Sequence, residues 1–256
     1  MLALALLLST LSLAVTPVPA PTPAAATVTA PTVAPGAVLR PTFTVGEAKI
    51  TGGTAFYVRL DGKTALVTAH QLLGPSLGLP AQVAAADVPK QVTAVALVDA
   101  YTGQVAGVAG GGLLVADADT VDKGASKDIA VFPVSISGFD TVASNTRVAP
   151  APLELAAADP KVGDTVWLAA ALNGDPGKAR LHAAKVGQVD GTALYVDFEE
   201  KVLDLAGTAG APFLDASGKV VGMCVGGGKM DDGVTVGAGN PVSSIRLRAT
   251  KALGGK

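Results

Sequence analysis

Cysteine is nearly absent from the 256-residue sequence: Cys224 stands alone, which excludes an internal disulfide framework. Histidine is almost as scarce, with only His70 and His182, and no Cys/His cluster has the spacing of a zinc site. Charge of either sign is low. Lys plus Arg make 19 and Asp plus Glu 21, for a net charge of -2, which excludes a strongly basic nucleic-acid surface. Aromatic residues reach only 4%. Long apolar runs are missing too. The stretch Leu2 to Val15 is broken by Ser9, Thr10 and Ser12 and stopped by Pro17, too short for a membrane span. Gly110-Gly111-Gly112 lacks the lysine of a phosphate loop, and Asp231-Asp232-Gly233 reads as a turn rather than a calcium loop.

What is present is small and apolar. Hydrophobic residues make up 49%, much of it Ala and Val, beside 31 Gly and 17 Pro without a Gly-x-y period. Such a composition leans towards sheet. Residues 1–20 read as a secretory signal, with cleavage candidates at Val18-Pro19-Ala20 and Ala24-Ala25-Ala26, so the expected location is secreted or periplasmic. Residues 21–40, dense in Pro and Ala, read as an extended linker.

The rest divides into short strands. Thr54 to Leu60 places Phe56, Val58 and Leu60 on one parity, and Asp61-Gly62 signals a hairpin returning through Thr64 to Thr68. Gln91 to Val98, Gly112 to Ala116 and Asp128 to Val134 follow. Gly138 to Ala158, with Pro150 and Pro152, reads as an inter-domain connection. A second set comprises Thr165 to Ala169, Arg180 to Val189, Ala193 to Phe198, Pro212 to Leu214, Val220 to Val225 and Val234 to Ala238. Pro241 to Leu253 suits a terminal helix with Asn240 as N-cap. Two β domains are expected, over residues 41–145 and 146–256.

Three segments carry candidate chemistry. His70 ends an apolar strand, Ala65 to Ala69, where it faces a loop. Asp128 directly precedes a buried strand, where a carboxylate needs a donor partner and can orient a histidine. The small residues of Gly207-Thr208-Ala209-Gly210-Ala211-Pro212 let backbone N–H groups converge on an anion. His182, inside a strand-like run, reads as structural.

Together these segments resemble the chymotrypsin/trypsin-like serine proteases, including bacterial secreted and HtrA-like members. That family shows Thr-Ala-(Ala)-His, then Asp-Ile-Ala-(Val/Leu), then Gly-x-Ser-Gly-x-Pro with a hairpin ending in Val-Gly. Here the counterparts are Thr68-Ala69-His70, Asp128-Ile129-Ala130-Val131 and Gly207 to Pro212, followed by Val221-Gly222. The resemblance implies an all-β fold of two six-stranded antiparallel barrels with a short C-terminal helix. It implies His70 as base, Asp128 as its orienting acid, and the N–H groups of Gly207 and Ala209 as oxyanion hole. Leu203 falls near the base of the primary pocket, and Val225, Gly226 and Gly227 on the edge that pairs with an extended peptide. No cofactor is implied, and the partner is a peptide or protein.

The departure is at the nucleophile, where Ala209 replaces serine and offers no oxygen. An inactive homologue that binds peptides or proteins is the first expectation. The alternative is an active serine endopeptidase, either because Ala209 is an introduced substitution or because another residue such as Thr208 attacks. A secreted β scaffold whose cleft has no role is the third.

Overall fold

The computed structural model describes residues 28–110, 128–134, 147–172, 180–201 and 203–254. The expected signal, the start of the linker, the strand at 112–116 and much of the expected connection fall outside these residues.

The first strands are β1 (Val38–Val45), β2 (Ala48–Thr51), β3 (Ala55–Leu60) and β4 (Lys63–Thr68). β3 and β4 form a two-residue hairpin in which Leu60 pairs with Lys63. Asp61 and Gly62 both take positive φ, 49° and 74°, matching the right-handed twist of the flanking strands. A 3-10 turn, His70–Leu73, follows β4. A single helical turn, α1 (Val88–Gln91), leads into β5 (Val92–Asp99) and β6 (Val105–Gly110). β7 (Ala130–Val134) and β8 (Leu153–Glu154) complete the first sheet, whose order is β6-β5-β1-β3-β4-β7 with β2 on β1 and β8 parallel to β3.

This sheet corrects the expectation of two barrels. Among the described residues it has eight strands and stays open, because β6 and β7 lie near each other without a ladder. Neither edge presents a regular row of donors. Pro133 in β7 lacks an N–H, and such strands sit at sheet edges. β6 joins β5 through a register shift at Leu97/Val98 and bends at Gly107, φ 133°.

The second set does close. β9 (Thr165–Ala170), β10 (Arg180–Val189), β11 (Leu194–Phe198), β12 (Pro212–Leu214), β13 (Val220–Lys229) and β14 (Thr235–Pro241) form a six-stranded antiparallel barrel, order β10-β11-β14-β13-β12-β9. Alternation in β11, with Leu194, Val196 and Phe198 buried and Tyr195 and Asp197 outside, sends one parity inward. Phe198 packs against Phe213 at 6.5 Å in the barrel, and Phe43 against Phe132 at 6.3 Å in the open sheet.

The terminal helix, α2, spans Val242–Ala252. Its N-cap is Pro241 rather than the expected Asn240, since β14 runs straight into it with Pro241 at φ -70° and ψ 162°. The first turn is capped from a distance. Asp159 accepts the Ser243 N–H and hydroxyl, each at 2.8 Å. Asn240 is freed to donate to the Asp128 carbonyl at 3.2 Å, one of the ties between barrel and open sheet.

Candidate active site

The site lies on the seam between the two sheets. The loop before β12 is held by its own backbone: Thr208 N–H donates to Leu205 O at 3.1 Å and Ala211 N–H to Thr208 O at 2.8 Å. Gly210 N–H reaches Cys224 O on β13 at 2.8 Å. Gly207 and Gly210 take positive φ, 83° and 87°. Glycine at 210 is a steric requirement, because a Cβ there would lie 2.0 Å from Thr54 O. Two bonds join the loop to the open sheet. Thr54 N–H donates to Ala209 O at 2.8 Å and its hydroxyl donates to Gly207 O at 3.0 Å, while Thr68 Oγ1 on β4 donates to Thr54 O at 2.6 Å and holds Thr54 in place. Among the described residues the N–H groups of Gly207 and Ala209 meet no acceptor, so two adjacent donors stay available.

His70 opens the turn after β4 and is 1% exposed. Its Nε2 donates to Val83 O at 2.9 Å, which leaves Nδ1 as an unprotonated, unpartnered acceptor. Burial holds its pKa below the usual histidine value, against the Val83 bond and aided by the nearby Arg248 charge. The ring therefore makes no bond to Asp128.

The residue that faces Asp128 is Gln71. Asp128 Oδ1 accepts the Gln71 N–H at 2.7 Å, with further bonds from the His70 N–H and the Gln71 side chain. Gln71 Nε2 also donates to Val225 O, next to the Cys224 carbonyl that holds Gly210. Asp128 is 3% exposed, and burial pushes its pKa up to about 6 despite these donors. The neighbouring imidazole is turned away from it, and burial favours the neutral form of that ring.

Thr208 is fully buried, and its hydroxyl donates inward to Leu205 O at 2.7 Å and lies 3.4 Å from Cys224 Sγ. The Cys224 thiol is buried too, and burial pushes its pKa up to about 11. Leu203 is half-buried against the core, while Leu205 packs over Gly227. Val225 and Gly226 are half-buried and Gly227 is exposed. On its β12 side, β13 is held at Cys224 by Ala211 and Gly210 and at Val225 O by Gln71, and beyond these, among the described residues, its glycine-rich end has no strand partner there. His182 stands apart on β10, its Nδ1 paired with Glu200 at 2.9 Å.

The structure thus brings Asp128 and the Gly207–Ala209 loop to one seam and sends the His70 ring elsewhere. Sequence reasoning passed over Gln71 and Val83. A signal for Gln71 was present: counted from Thr68, the longer Thr-Ala-Ala-His form of the motif ends at residue 71.

The family model of the trypsin-like peptidase domain matches residues 53–223, about two thirds of the chain. The chain belongs to that family. No curated protein matches it. Solved structures of similar fold include the active form of the Rv3671c protease from M. tuberculosis, at 16% identity and TM-score 0.52, covering 85% of this chain and 81% of that one. A thermostable serine protease, AL20, from an extremophilic microorganism shares 13% identity at TM-score 0.56, with 85% and 96% covered. A Glu endopeptidase also shares 13% at TM-score 0.55, with 85% and 90% covered. At these identities the likeness is one of fold.

Proposed function

We propose that this is an exported trypsin-like domain without peptidase activity that binds peptides or proteins. The observation that carries the proposal is Gln71. In this reading the base position is Gln71 rather than His70, because Gln71 is the side chain held between Asp128 and Val225 O. A carboxamide cannot accept a proton from an attacking hydroxyl near neutral pH. With Ala209 at the nucleophile position, both reacting groups are missing while the acid and the two loop N–H donors remain. The alternative nucleophile Thr208 is buried with its hydroxyl committed inward, which speaks against an active endopeptidase. The edge of β13 at Gly226 and Gly227, past the Val225 carbonyl that Gln71 holds, suits an extended peptide adding as a strand. Export rests on the signal-like residues 1–20; among the described residues no helix is long and apolar enough to cross a membrane.

Fluorophosphonate labelling, read by intact mass, tests the proposal on the unaltered protein, Ala209→Ser, and Gln71→His with Ala209→Ser. The first two are expected to stay unlabelled and the double variant to label. Labelling of the unaltered protein, or peptide cleavage by it, overturns the inactive reading. Full labelling of Ala209→Ser alone, lost on His70→Ala, returns the base to His70. Failure of the double variant removes the preserved cleft and leaves the scaffold reading.

A further inference from the structure

A concavity on the barrel is lined by neither Gln71 nor Ala209. It is a cleft of about 740 Å³ between the end of β11 and the β13–β14 turn. Its floor is apolar, made by the half-buried Val234 and Val236 with the edge of the buried Phe198. Met230 stands over it 57% exposed, one of few large apolar side chains in that condition. A flexible thioether on an open lip is a common feature of surfaces that accept varied side chains.

Four carboxylates surround this floor. Asp197 comes from the outward parity of β11, Glu199 from just beyond its end, and Asp231 and Asp232 from the turn. Among the described residues the lining holds one basic side chain, Lys185, whose Nζ donates to Thr165 Oγ1. Among the four, Asp232 has a structural task, accepting the Val234 N–H at 3.0 Å. The groups are too dispersed to act as ligands of one ion: among the described residues no three His, Cys, Asp or Glu converge as a metal site. Dispersed anions around an apolar floor complement a polymer that carries several cations with an apolar residue between them.

We propose that this cleft docks a cationic segment of a protein partner, seating one apolar side chain on Phe198, Val234 and Val236. Its Lys or Arg side chains reach the carboxylates at either lip. The cleft lies across β14 from the glycine-rich end of β13, and the proposal does not depend on whether the domain hydrolyses peptides.

The experiment uses two fluorescein-labelled peptides, Arg-Lys-Leu-Arg-Lys-Leu-Arg and its counterpart with every Arg and Lys replaced by Gln, titrated by anisotropy. Binding of the basic peptide alone is expected, weakening steeply between low and physiological salt. Glu199→Gln with Asp231→Asn, at two exposed carboxylates, should weaken it about tenfold. Met230→Ser should weaken it several-fold while leaving the salt dependence in place. Gln71→Ala serves as a control at the other site and should leave it unchanged. Equal binding of both peptides, no binding of either, or indifference to the Glu199/Asp231 and Met230 variants overturns the proposal. Circular dichroism of each variant confirms folding. Sensitivity to Gln71→Ala alone moves the peptide to the seam and also overturns it.

Discussion

Asp128 offers the sharpest quantitative check on the site. In a working acid–base pair, a buried carboxylate is repaid by the imidazole it orients; here the His70 ring turns to Val83 O and the Gln71 amide is uncharged. Burial raises the Asp128 pKa from 3.8 to about 6. The native protein then holds this proton more tightly than the unfolded chain. Between pH 3.8 and about 6 the native state binds more protons, so stability falls as pH rises, and the loss is complete above the folded pKa. The difference corresponds to ~3 kcal/mol of destabilisation at pH 7.5. Asp128→Asn removes the charge while keeping an oxygen for the Gln71 N–H. Urea unfolding, followed by the buried Trp167, measures the stability of parent and variant at each pH. The variant should gain on the parent by ~3 kcal/mol between pH 3.5 and 7.5, with most of the change between pH 4 and 6.5. Subtracting the two curves cancels the titration of every other group. A difference that is flat with pH, or one that moves in the parent's favour, refutes an uncompensated buried carboxylate. It would then follow that a cation faces Asp128 in solution.

Three further predictions come from the same region. In the Gln71→His, Ala209→Ser background, fluorophosphonate labelling should survive His70→Ala. Loss of labelling without loss of fold would make His70 the base. Gly210→Ala should cost more than ~3 kcal/mol, since it combines a positive φ with a Cβ on Thr54 O; a thermal midpoint within a degree or two of the parent would show that the loop relaxes freely. Cys224 should resist a thiol reagent at pH 8 in the native protein and react fully in denaturant, because its thiol is buried with a pKa of about 11. Reaction within minutes under native conditions would contradict that burial.

Much of the fold is legible along the chain because strand signals are local. The Asp61-Gly62 hairpin, and Arg180–Val189 and Pro212–Leu214, stand where apolar runs and turn residues place them. The contacts of Asp128 with Gln71 and of Gly210 with Thr54 join segments far apart in the chain, so no local pattern shows them. β1 and β6 are less legible. β1 carries Pro41 near its middle, and β6, Val-Ala-Gly-Val-Ala-Gly, has little side-chain patterning of its own. Both are set by the neighbours they pair with, as sheet propensity depends on context.

The sequence by itself determined the class of protein: small apolar strands, scarce charge and three ordered motifs point to a trypsin-like domain, the family whose model matches residues 53–223. Tertiary structure decided two things that no local pattern holds. Whether a sheet closes depends on strands distant in the chain meeting in register, as β9 does with β12 and β11 with β14, while among the described residues β6 and β7 form no ladder. Which of two adjacent side chains faces the acid depends on the turn after β4. His70 and Gln71 are neighbours, and one step along that turn sends the imidazole to Val83 and the amide to Asp128 and Val225.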